Sequence, residues 1–155
     1  MKFKVLRFLS LCLVVVFSQA WAAEEPVSTT FFGNLAAGGY DSVAYHRLAK
    51  GEAALKGDDA FVVEWKGAKW RFLNEKDAKA FAENPEKYSP AYNGHCANAL
   101  SIGEGLVKTN GKHWAIFDDQ LYLFYAPRGE QRWSNGDYKA YKQAADQAWA
   151  DILAK

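Results

Sequence analysis

Sulfur is scarce in this chain. It contains two cysteines, Cys12 and Cys96, and one methionine, Met1. Cys12 lies in an N-terminal apolar stretch, so a chain cleaved after that stretch keeps one thiol and no thioether. Such a chain excludes an internal disulfide, a closed four-cysteine zinc site and a methionine-rich copper carrier. Only His46, His95 and His113 remain as other soft donors. A dominant charge is missing as well. Removing residues 1–22 takes away Lys2, Lys4 and Arg7 and no acidic side chain, which moves the formal charge from +1 to −2. That balance argues against a nucleic-acid partner or an anionic membrane surface, both of which reward a basic face. The usual catalytic signatures are absent too: there is no Gly-x-Ser-x-Gly, His-Glu-x-x-His, phosphate-binding loop or dinucleotide fingerprint.

What is present begins with an export signal. Lys2, Lys4 and Arg7 precede the apolar run Phe8–Phe17, and Ala20-Trp21-Ala22 fits a signal-peptidase site. The run is too short for a membrane span. These residues predict a signal peptide over 1–22, cleavage after Ala22 and a periplasmic protein with no membrane span. Residues 23–30 are polar, carry Pro26 and read as a disordered leader. One domain over 31–155 then suits the remaining length.

Within it, Phe61–Trp65 and Ala68–Phe72 are rich in β-branched and aromatic residues and flank Lys66-Gly67, the pattern of a hairpin. Asn74 caps a predicted helix, which Asn84-Pro85 ends. His95–Ile102 reads as a short helix closed by Gly103. His113–Phe117 and Gln120–Phe124 make a second hairpin across Asp118-Asp119. Arg128–Trp133 reads as a short helix, and Asp137 caps an amphipathic C-terminal helix with Tyr138, Tyr141, Ala145, Ala148, Trp149 and Ile152 on its apolar stripe. Ser42–Leu48 reads as extended, and residues 50–59 as a loop or short helix. Strands and helices do not alternate as βαβ units, so the expected class is α+β: a small antiparallel sheet of aromatic-rich hairpins packed with several helices.

Tyr40-Asp41-Ser42-Val43-Ala44-Tyr45-His46, the aromatic hairpin, Asn84-Pro85-Glu86-Lys87-Tyr88 and Asn93-Gly94-His95-Cys96-Ala97 together resemble the YHS domain family, in its longer secreted form, over residues 31–153. The resemblance implies the scaffold and a metal-related role rather than a defined reaction. It departs from the family at two points. Arg47 stands where the name motif has serine, and the cysteines of the shorter metal-binding domains are missing.

Cys96 is therefore the leading candidate. At a helix start the dipole and free amides favour a reactive thiol, whereas a buried, inert thiol is the plainer alternative. His95 and His46 are the candidate co-ligands, with Asp41 and Tyr45 placed to orient them. His113 opens a strand, reads as exposed and is not a candidate ligand. These residues point to a transition metal, copper or zinc with iron also admissible, or to a small ligand. A non-catalytic module that docks a periplasmic protein is the rival reading, and a thiol-dependent enzyme using Cys96 with His46 or His95 ranks last.

Overall fold

The computed structural model of the chain describes residues 25–155; the predicted signal peptide, 1–22, lies outside the described residues. Strands β1 (Asp58–Trp65) and β2 (Ala68–Phe72) pair antiparallel, with Trp65 opposite Ala68. Lys66 (φ 48°) and Gly67 (φ 67°) both adopt left-handed backbone, as a two-residue hairpin turn requires to match strand twist. Along β2, Ala68, Trp70 and Phe72 alternate inward. Asn74 Oδ1 accepts the Asp77 N–H at 2.9 Å and starts α1 (Glu75–Glu83). Asn84 ends α1 and caps α2 (Pro85–Tyr88), accepting the Lys87 N–H at 3.3 Å. Phe81 on α1 is fully buried and stacks on Trp70, with ring centroids 4.9 Å apart.

The second hairpin, β3 (His113–Phe117) and β4 (Gln120–Phe124), turns through Asp118 (φ 49°) and Asp119 (φ 60°). It forms its own two-stranded sheet. Leu121–Phe124 are all buried, so this continuous apolar run has no solvent face. Leu121 and Leu123, with Trp114, join one cluster that contains Ala36, Tyr45, Trp70, Phe72 and Phe81. Tyr122 and Phe124, with Ala115, join a second that contains Tyr92, Cys96, Leu100, Trp133 and Ala145. The second hairpin is thus the partition of the core, while the first is one of its walls.

Three helices complete the second cluster: α3 (Ala97–Ser101), α4 (Pro127–Asn135) and α5 (Tyr138–Leu153). Pro127 opens α4, where a missing N–H costs nothing. Asp137 caps α5 by accepting the Ala140 N–H. Gly129 lets α4 approach α3 closely, because a Cβ there would lie 2.9 Å from the Asn98 Cβ. The class is α+β, with two small antiparallel sheets, aromatic clusters and a long C-terminal helix. Among the described residues no helix is long and apolar enough to cross a membrane.

Four local expectations are corrected. Residues 44–47 form a 3-10 turn rather than an extended segment. Strand β1 starts at Asp58, inside the expected loop. The helix after His95 begins at Ala97, so His95 is outside it and Cys96 is its N-cap residue. The described part of the leader, 25–30, is packed rather than disordered. Ser28 is buried, its N–H donates to the Asn93 carbonyl at 2.9 Å, and its Oγ accepts the Thr109 N–H at 3.0 Å.

Candidate functional site

Three successive residues with positive φ, Tyr92 (56°), Asn93 (48°) and Gly94 (81°), bring the chain to His95 and Cys96. Left-handed backbone is strained at the first two, which carry a Cβ, and the surrounding contacts hold it. Tyr92 donates its hydroxyl to Asp146, and Asn93 donates its side-chain amide to Glu25. His95 (φ −71°, ψ 157°) and Cys96 (φ −62°, ψ 111°) are then extended and polyproline-like, so their side chains diverge. The His95 ring is buried, places Nδ1 3.0 Å from the Tyr92 carbonyl and lies 6.0 Å from the Trp149 ring. Burial, chiefly, with Lys108 adding to it, holds its pKa below the usual histidine value, against the opposing pull of that carbonyl. Cys96 is 4% exposed, and its sulfur accepts the Tyr125 N–H at 3.3 Å.

His46 lies elsewhere. Its neighbour Tyr45 belongs to the first cluster, whereas Cys96 belongs to the second. The His46 ring meets Tyr88 edge-on at 5.6 Å, and its Nε2 is buried without a hydrogen-bond partner. Burial lowers its pKa, Lys87 adds to that, and Asp119 opposes it. Asp41 is fully buried and accepts the N–H groups of Val43, Ala44 and Leu73 at 2.8–3.0 Å. It therefore holds the turn before His46 against the end of β2 and does not orient the imidazole. Desolvation raises its pKa. The Tyr45 hydroxyl donates to the Gly111 carbonyl at 2.6 Å, and burial raises its pKa as well. His113 is half-buried, not exposed, with Nδ1 3.7 Å from Glu130 Oε2. Among the described residues no group of three or more His, Cys, Asp or Glu side chains stands where it could hold a metal ion.

What Cys96 does line is a cleft of about 530 Å³ between α3, α4 and the loop after α3. That volume falls in the range of ordinary small-molecule sites, roughly 300–1,000 Å³. Ala99, Ile102 and Val107 give it an apolar wall; Arg128, Arg132 and Glu104 supply charge. The Arg132 guanidinium stacks 3.6 Å from the Tyr141 ring centroid and donates to Asn98 Oδ1 and Ser101 Oγ. Arg128 is exposed and, among the described residues, makes no ion pair. Reading the sequence for thiols and imidazoles passed over both arginines. Their i, i+4 spacing on a predicted helix was the available signal, because it places two guanidinium groups on one face. No family model, curated protein or solved structure matches the chain.

Proposed function

We propose that this protein is an exported, YHS-like binding domain that takes a small anionic ligand in the cleft beside Cys96. The cleft itself carries the reading: an apolar wall, two guanidinium groups against one carboxylate, and the one thiol of the described residues at its edge. Arginine suits carboxylate and phosphate through its planar fork of donors. Arg132 is pre-oriented by its stacking and side-chain bonds, while exposed Arg128 is free to close on a ligand. Export is supported by the n-region, apolar core and Ala20-Trp21-Ala22, and a mature chain that begins at Ala23 by mass spectrometry is its expected signature.

The donors fit a resident copper, zinc or iron ion poorly. Cys96 and His95 diverge, His46 borders the other cluster, and no imidazole lines the cleft. A thiol enzyme would need a base at the sulfur, yet the sulfur's partner is an amide that donates to it.

A thermal-shift panel of small carboxylates, phosphates and sulfonates, run beside Cu(I), Zn(II) and Fe(II), tests the reading. A ligand of this site raises the melting temperature, slows alkylation of Cys96 in the native protein, and loses both effects in Arg128→Ala. The reading is overturned if only a metal protects Cys96 and either His95→Ala or His46→Ala abolishes that protection. It is also overturned if neither class of ligand changes melting or alkylation.

A further inference from the structure

Phe31 and Phe32 are 91% and 82% exposed, the most exposed large apolar side chains among the described residues. They are adjacent and pack edge to face on one another, with centroids 4.8 Å apart, so they form one contiguous aromatic knob rather than two scattered residues. The loop that presents them is fastened on every side. Thr29 bridges Ala36, the Thr30 N–H donates to the Leu35 carbonyl, and Thr30 Oγ1 accepts from the Leu35 N–H while donating to the Phe32 carbonyl. Asn34 Nδ2 donates to the Gly67 carbonyl at 2.6 Å, the Ala36 N–H donates to the Lys69 carbonyl, and the Lys69 N–H donates to the Asn34 carbonyl. Two large apolar rings are therefore held out in water by a pre-organised tip, at a cost in solvation that their contact with each other offsets only in part.

The local charge of this edge points to what covers it. From Pro26 to Tyr40 the chain carries no charged side chain, so the charges beside the rings come from the segments that hold the loop. Exposed Lys69 backs the loop, and Lys108 Nζ reaches the Thr29 carbonyl at 3.3 Å; neither lysine makes an ion pair among the described residues, although Glu64 stands opposite Lys69 across the hairpin. The acid at the start of this edge, Glu25, is already paired with Lys66 at 2.6 Å.

We propose that the Phe31-Phe32 tip is a membrane contact: the two rings enter the headgroup–acyl boundary of a bilayer, with Lys69 and Lys108 at headgroup level. Aromatic rings flanked by lysines suit that boundary, since the rings take the apolar side and the ammonium groups stay wet. The Phe32 carbonyl enters already bonded to the Thr30 hydroxyl, which lowers the cost of moving this backbone out of water. The net charge of the chain disfavours an anionic surface, but headgroups within a Debye length meet the local cations of this edge first. The attachment is weak and reversible, because two rings bury less apolar surface than one acyl chain.

The experiment is co-sedimentation of the full chain, as the host processes it, with phosphatidylcholine vesicles with and without phosphatidylglycerol. One N terminus, verified by mass in every variant, cancels any contribution of residues 1–24. Wild type partitions onto vesicles, more strongly when phosphatidylglycerol is present and less in high salt. Phe31→Ser/Phe32→Ser lowers partition about tenfold or more, Phe31→Leu/Phe32→Leu keeps most of it, and Lys69→Glu/Lys108→Glu removes only the preference for the anionic vesicles. Unchanged melting of each variant shows that the fold is intact. The proposal is overturned if wild type stays in the supernatant, or if the double serine variant partitions as wild type does. It is equally overturned if wild type ignores vesicles but self-associates in sedimentation velocity through these rings, which makes the tip a contact between copies.

Discussion

His95 and His46 carry the most informative protonation chemistry, although neither meets Cys96. Both rings are pushed below the ordinary histidine pKa of 6.5, first of all by burial. The unfolded chain therefore binds more protons than the native one as pH falls through and below about 6.5, and native stability drops across that window. Above it, both rings are neutral in either state and the slope vanishes. Lys108 near His95 and Lys87 near His46 reinforce the effect, while Asp119 opposes it at His46. Asp77, held below the usual carboxylate range by its bidentate Arg47 pair, acts in a separate, more acidic window with the same sign, while Asp41, raised by desolvation, has the opposite sign there. Denaturant melts from pH 8 to about pH 5 are expected to show a falling transition midpoint. His95→Gln flattens that fall if it folds, and His46→Gln does so at a ring that is only partly buried. A midpoint that holds constant through this range in wild type contradicts the assignment. The same Arg47–Asp77 pair ties the turn at 44–47 to α1.

At the scale of elements, α1 and α3 answer to different residues. Phe81 is fully buried between Trp65, Trp70 and Phe72, so Phe81→Ala leaves a cavity and is expected to cost about 3–5 kcal/mol. Cys96→Ser keeps an acceptor for the Tyr125 amide at the start of a five-residue helix and is expected to cost at most about 2 kcal/mol. Equal losses in denaturant melts would assign Cys96 to the core alone. The hairpins, their turns, the Asn74 and Asp137 caps and the stop at Asn84-Pro85 were legible because each rests on contacts within a few residues, whereas the short helix α2 that Asn84 also caps was read as a turn. The turn at 44–47 was not. Gly38-Gly39 before Tyr40-Asp41 reads as a turn feeding an extended segment, but the Asp41 carboxylate takes the Val43 and Ala44 amides and curls the backbone. Likewise His95 and Cys96 read as one helix, because nothing local shows that Tyr92 and Asn93 adopt left-handed backbone.

For the whole molecule, the cleft was illegible for a related reason: it joins residues 96–107 to residues 125–132 across β3 and β4, and no local pattern records that meeting. The same hairpin makes a prediction about cooperativity. Leu123 and Phe124 are consecutive, fully buried, and face different clusters. A strand whose two faces belong to two cores cannot leave one without exposing the other, so the halves are expected to unfold together. Leu123→Ala, expected to cost about 2–5 kcal/mol, and Phe124→Ala, about 3–5 kcal/mol, should each destabilise the entire domain. Native-state hydrogen exchange reads this directly. Protection at Trp70 in the first cluster and at Ala145 in the second should fall by similar amounts in both variants. If Leu123→Ala loosens Trp70 and leaves Ala145 protected as in wild type, the two clusters are separate folding units, and the hairpin is a seam between them rather than their common wall.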